Sequence, residues 1–143
     1  MIGPFNEIDN KGDEVEIVSI VALFALAQYL IFGAQAGRAR TRYEIQAPAV
    51  VGLPVFERKL RVQQNTLEQL VVFLPSLGCF GWYIAPNWAA LLGAFFIAGR
   101  FVYARSYVAD PAKRSLGFGI SFLAQVILLL GGLIGAIMAW WVI

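Results

Sequence analysis

The sequence predicts an all-α integral membrane protein, built as a bundle of four spanning helices. Three observations predict it. Of 143 residues, 59% are apolar and only 14% charged, with a mean hydropathy of +0.70; soluble domains sit at about 45–50% apolar and about 25% charged. The apolar residues gather into stretches close to the roughly 20 helical residues that cross a hydrocarbon core of about 30 Å. Breaks at Pro86-Asn87 and Asp110-Pro111 divide those stretches. The length suits one domain.

The first span covers residues 17–36, 20 residues without a charge. Acids precede it, Arg38 follows it, and it exceeds the apolar core of a signal peptide, so it is expected to remain in the protein. A loop over 38–56 follows, where Pro48, Gly52 and Pro54 deny a helical period. The second, third and fourth spans are expected over 62–85, 88–109 and 112–143. Asp110 is the expected N-cap of the fourth, with Pro111 at its first position. Trp82, Tyr83 and Trp88 surround the turn between spans two and three, and Trp140 and Trp141 lie near the end of the chain. With the termini and that turn on one side, these rings form an aromatic belt on one membrane face. Gly33/Gly37 and Gly131/Gly135 each fit GxxxG, read here as ordinary close packing of helices.

The charges orient the bundle. Arg38, Arg40, Arg42, Arg58, Lys59, Arg61, Arg100, Arg105, Lys113 and Arg114 lie in or beside loops 1–2 and 3–4. Against Glu44, Glu57, Glu68 and Asp110 they leave that side with a net charge of +6. The other side sets Lys11 against Glu7, Asp9, Asp13, Glu14 and Glu16, a net −4. Cation excess marks the cytosolic side. Both termini are therefore expected to be non-cytosolic, and both charged loops cytosolic. Short loops and the lack of a C-terminal retention signal favour a bacterial inner membrane over a reticulum membrane.

Composition also excludes chemistry. There is no His, which removes His acid–base catalysis, proximal haem ligation and His metal sites; the single Cys79 gives no internal disulfide and no CxxC motif. No metal site and no nucleic-acid partner is expected. What stands out is a polar constellation at the charged end. Polar groups inside a span are costly and face a bundle interior or an aqueous cavity. At about 100° per residue, Arg58, Arg61, Asn65 and Glu68 fall within one narrow arc of helix 2. Arg100, Tyr103 and Tyr107 form another on helix 3, and Arg114 and Ser115 open helix 4. Snorkelling at the interface accounts for Arg58, Lys59 and Arg105. It does not account for Arg61, Asn65 and Glu68. Glu68 needs a partner, either Arg61 or Arg100. The remaining cations suit an anion bearing carboxylates, which the guanidinium fork binds bidentately.

The run Glu57-Arg58-x-x-Arg61-x-Gln63-x-Asn65-x-x-Glu68 closely resembles the signature of the MAPEG family, membrane-associated proteins in eicosanoid and glutathione metabolism. The stretches Gly99–Tyr107 and Asp110–Ser115 resemble it too, and the likeness extends from about Ile17 to the C-terminus. Gln64–Glu68 and Val102–Arg105 look most like its microsomal glutathione transferase 3 branch. The resemblance implies a homotrimer of left-handed four-helix bundles that binds glutathione as co-substrate between subunits near the cytosolic face. It implies that Arg61, Gln63, Asn65 and Glu68 bind glutathione, and that Arg100, Tyr103 and Tyr107 line the opposite wall. Arg114 stands where the family has its thiolate-stabilising arginine, and Ser115 where one branch has a catalytic serine. Arg38 or Arg40 stands where an arginine reaches the neighbour's glutathione. Gln69 departs from the Tyr found there in some members, so that hydroxyl contact is missing.

The implied activity is a glutathione transferase with peroxidase activity, acting on an apolar electrophile or lipid hydroperoxide that enters from the bilayer. A thiol near pKa 8.5 is only a few per cent thiolate at pH 7, and a nearby guanidinium favours the reactive anion. Two rival readings are a non-catalytic lipid-binding scaffold of the same family and a small four-helix transporter. Glutathione turnover separates the first, and saturable glutathione binding the second.

Overall fold

The computed structural model describes residues 5–142, with side chains from residue 15 onward. Lys11, Glu7, Asp9, Asp13 and Glu14, which carry most of the expected outer charge, have side chains outside the described residues. So does Ile143, the expected end of the fourth span. Four helices account for the described fold: α1 (Phe5–Arg42), α2 (Pro54–Tyr83), α3 (Pro86–Ala109) and α4 (Ser115–Trp141). A single 3-10 turn, Pro111–Arg114, joins the last two. Among the described residues, α1 from Val15, α3, and the stretch Pro111–Trp141 are long and apolar enough to cross a membrane. α2 lacks so continuous an apolar run, because Thr66, Glu68 and Gln69 interrupt it.

The helix ends follow from local chemistry. α1 extends beyond the expected span in both directions, and Arg38 and Arg40 ride its last turns instead of opening the loop. It stops where Glu44 takes a left-handed conformation, φ 55°. The Ile45 N–H then reaches back to the Arg40 carbonyl at 3.0 Å, closing the helix as a C-terminal cap does. The loop is thereby shortened to 43–53. α2 starts at Pro54, well before residue 62, because proline suits the first helical turn and Glu57 accepts the Gly52 N–H at 2.8 Å. Its interior Pro75 removes one donor without ending the helix. Pro86 likewise starts α3. Asp110 does cap, with Oδ1 accepting from the Ala112 N–H at 3.0 Å. It caps the 3-10 turn rather than α4, which begins only at Ser115.

Packing divides the bundle in two along its length. Toward the tryptophan end, Ala25, Leu70, Phe73, Leu77, Phe80, Ala89, Phe96, Ala124 and Leu128 form one apolar core. Phe73 and Phe96 stack at its centre, ring centroids 3.8 Å apart. Gly131 and Gly135 there meet Phe80 and the Tyr83–Ile84 corner of α2, so this GxxxG pair packs inside the chain. Gly33 meets only the Gln63 side chain, and Gly37 nothing. Toward the arginine-rich end the core is smaller: Phe32, Val62, Tyr103 and Ala104.

Candidate functional site

At the arginine-rich end, the α3–α4 contact sets the geometry. A methyl group on Gly99 would stand 2.6 Å from the Ser121 backbone nitrogen, and one on Gly117 would overlap the Tyr103 backbone. Only glycine at both positions lets the two helices touch backbone to backbone. The start of α4 is thereby pressed onto the Tyr103 turn of α3. Phe118 packs its ring 6.4 Å from that of Tyr103. Arg114 and Ser115, three and two residues before Gly117, are exposed at this junction.

The site has an exposed rim and a buried floor. On the rim, Arg61 pairs with Glu68, Nη1 to Oε1 at 3.1 Å, their side chains 48% and 54% exposed. Asn65 Nδ2 donates to the other oxygen, Oε2, at 3.2 Å. The partner of Glu68 is therefore Arg61 of its own helix, two turns away, and not Arg100. The floor is formed by Asn65, Thr66, Arg100 and Tyr103, all buried. Arg100 has no exposed surface. It donates from Nη2 to Thr66 Oγ1 at 2.9 Å and lies 4.2 Å from the centroid of the Tyr103 ring. Tyr103 in turn stacks on the half-buried Tyr107 at 5.4 Å. Arg100 thus lies beneath the ring of Tyr103, and one carboxylate, Glu68, stands on the rim with Arg61.

Several buried atoms of this floor have no partner among the described residues: Asn65 Oδ1, and Arg100 Nε and Nη1. A buried guanidinium with two unused donor nitrogens and no ion pair favours an anion nearby. The arrangement can therefore hold a carboxylate-bearing ligand on the rim, above a positively charged base.

The structure does not bring every expected residue to this place. Gln63 points to α1, with Nε2 donating to the Tyr29 hydroxyl at 3.5 Å. It lies across the helix from Arg61, Asn65 and Glu68, as two residues of helical rotation require. Arg40 is engaged within the chain. Its Nη1 donates to the Ala49 carbonyl at 2.8 Å and its guanidinium covers the Phe56 ring at 4.8 Å, tying the loop to α2. Arg38 is exposed, and no hydrogen bond or ion pair holds it among the described residues. Arg100, expected to line the wall, lies beneath it. Arg58 is no mere interfacial group: its Nη1 donates to the Val108 and Ala109 carbonyls at 3.1 and 3.3 Å, completing the C-terminus of α3. α3 has no basic residue of its own in its last turn, and a cation there satisfies orphan carbonyls and the helix dipole.

Sequence reasoning missed Thr66, whose signal was a hydroxyl inside the polar run of helix 2, one residue beyond Asn65. It also missed the capping role of Arg58, which no spacing within one helix could reveal.

The model of the family described as MAPEG matches residues 18–134. An uncharacterized protein of Synechocystis sp. is 43% identical over 116 residues, 81% of this chain and 85% of that one. Microsomal glutathione S-transferase 2 of Homo sapiens is 36% identical over 119 residues, 83% of this chain and 81% of that one. Leukotriene C4 synthase of Mus musculus is 31% identical over 102 residues, 71% of this chain and 68% of that one. None of these three bears the name of the branch that Gln64–Glu68 and Val102–Arg105 resemble.

Proposed function

The chain belongs to the MAPEG family and is an integral membrane protein, and from that premise we propose that it is a glutathione-dependent transferase. The observation that carries this reading is the polar group joined at one end of the bundle: Arg61 and Asn65 both held on Glu68, beside the buried Arg100, which has no ion pair among the described residues. Glutathione bears two carboxylates and one ammonium. Arg61 and Asn65 suit a carboxylate, and Glu68, which they hold, suits the ammonium. Tyr107 offers a half-buried wall beside them. The relatives named as a glutathione transferase and as leukotriene C4 synthase support the same chemistry.

In this reading the active unit is a homotrimer of left-handed bundles, with α2 spanning beside the other three helices and glutathione bound between subunits on the cytosolic side. Arg38 is the α1 residue that reaches the neighbour's ligand, because Arg40 is already committed to the loop. Gln63, which packs against Tyr29 of α1, contributes from the α1 side of the same interface. Arg114 stabilises the glutathione thiolate. As a guanidinium it needs no deprotonation, and it sits where the α4 N-terminus adds a modest favourable field, about 0.3–1 kcal/mol when exposed. Ser115 is a second donor to the sulfur. The acceptor enters from the bilayer. Attack on carbon forms the C–S bond of a conjugate as the electrophile's leaving group departs with its bonding pair, or as a carbon–carbon double bond or strained ring opens and the resulting anion takes up a proton. Attack on a hydroperoxide, completed by a second glutathione, yields an alcohol, water and oxidised glutathione. The membrane is a bacterial inner membrane, with both termini non-cytosolic.

The test is a stopped-flow ultraviolet scan on mixing glutathione with purified protein. A rise in thiolate absorbance is expected. Arg114→Ala is expected to abolish that rise and lower turnover with a generic electrophile, with glutathione affinity kept within a few-fold. A full thiolate signal and full turnover in Arg114→Ala would transfer the role to Ser115, Tyr103 or Tyr107. A wild-type protein that does not bind glutathione would end the reading.

A further inference from the structure

Arg100 is the largest of the fully buried side chains, and it is charged. Among the described residues the ion pairs are Arg61–Glu68 and Lys113–Asp110, so no acid is in contact with it. An unpaired buried charge costs several kcal/mol and persists only where something holds it. Two contacts do. One is the face of Tyr103 at 4.2 Å, a cation–π contact that strengthens when water is excluded. The other is Thr66, wholly buried like Arg100.

The polarity of the Thr66 contact is determined. Its hydroxyl has one proton, and that proton goes to the Val62 carbonyl at 2.7 Å, one turn back on α2. The oxygen can then only accept, and it accepts from Arg100 Nη2 at 2.9 Å. A hydroxyl committed in this way acts as a fixed acceptor for a group that only donates. It also ties α2 to α3 at the depth of the site. Arg100 is itself closed off from any ligand in this structure, so its influence runs through what it touches: the Tyr103 ring, and through that ring the stacked Tyr107.

We propose that Thr66 and Arg100 are a buried positioning pair for the glutathione site. Thr66 holds the guanidinium in place. Arg100 holds the Tyr103–Tyr107 wall and supplies positive charge beneath the ligand without touching it. This rests on the glutathione reading above and adds to it a residue, Thr66, that binds nothing in that reading.

The experiment is a double-mutant cycle on glutathione affinity, measured by calorimetry on the purified full-length protein. Thr66→Val keeps the shape and removes the acceptor. It is expected to weaken glutathione binding about tenfold, the low end for a lost hydrogen bond to a charged group. Thr66→Ser is expected to stay within about twofold of wild type. Arg100→Met is expected to weaken binding by about tenfold or more, and Thr66→Val added to it by less than about twofold further, since the two act as a unit. In turnover, Thr66→Val is expected to raise KM with little change in kcat, because the pair favours binding and does not face the sulfur. If Thr66→Val does not fold, Thr66→Ala takes its place in the cycle. Equal losses from removing the Thr66 hydroxyl with and without Arg100 would show that it merely supports α2, and would overturn the proposal. So would an unchanged affinity in Thr66→Val. Both differ from failure of the functional reading, in which wild type binds no glutathione.

Discussion

The two ends of this bundle solve different problems with the same four helices. At the tryptophan end, Phe73, Phe96, Leu77 and Leu128 are wholly or almost wholly buried and carry no polar side-chain atom. At the arginine end, the corresponding layer holds Arg100, Thr66 and Asn65, with unpartnered polar atoms left in it. In a bilayer, lipid tails are as apolar as leucine, so helices gain little from hiding apolar surface and associate through close packing and hydrogen bonds. Both ends use glycines for close approach, Gly131 and Gly135 at the apolar end and Gly99 and Gly117 at the polar end. The apolar end adds interdigitated rings, and the polar end adds the Arg100–Thr66 tie between helices. Stability is thus concentrated at one end and chemistry at the other, and the interior of a single short bundle can serve both.

Four substitutions test that division, in falling order of effect. Phe73→Ala is expected to be the most destabilising, by about 3 kcal/mol, through its cavity and lost stacking on Phe96. It should lower the midpoint of thermal unfolding followed by circular dichroism and leave glutathione affinity of the folded protein unchanged. Loss of affinity before loss of stability would break the division. Gly117→Ala comes next. Its methyl group has no room against Tyr103, and overpacking of this kind costs about 1–3 kcal/mol. Because it parts α3 from α4 beside the site, it should depress both the unfolding midpoint and turnover.

Arg61→Ala should do the reverse of Phe73→Ala. Its ion pair with Glu68 is about half exposed, so little stability goes with it. Loss of a charge-assisted contact should weaken glutathione binding by about 1.5–3 kcal/mol, roughly 10- to 150-fold in titration. Arg58→Ala is the smallest. Removing the cation from the α3 carbonyls should cost about 1 kcal/mol of stability. It should also slow turnover a few-fold with affinity unchanged, since the freed chain end leads into the turn that carries Arg114. An Arg58→Ala protein with wild-type turnover would reduce Arg58 to the interfacial role its sequence position implies.

Much of the site was legible in one dimension. Arg61, Asn65 and Glu68 are three and four residues apart, and helical rotation alone puts them on one face; the structure joins them in one hydrogen-bonded group. The same arithmetic separates Gln63 from them. Asp110-Pro111 signalled a start, and the Asp110 carboxylate does cap one. The helix limits were less legible. Arg38 to Arg42 are good helix formers or neutral residues with no breaker among them, so α1 continues through them until Glu44 turns it. Pro54 starts α2 early because its missing N–H costs nothing in a first turn.

The sequence by itself determined the all-helical class, the apolar lengths, the asymmetry of charge and the arcs on which polar side chains lie. These depend on composition and on a rotation of about 100° per residue, which need no partner. Tertiary structure alone decided which arc meets which. It pressed Gly117 onto Tyr103, gave Arg58 to the end of α3, and enclosed Arg100 against Thr66. Each of those choices depends on the distance between residues on different helices. That distance follows from how closely two helices approach, and only their packing sets it.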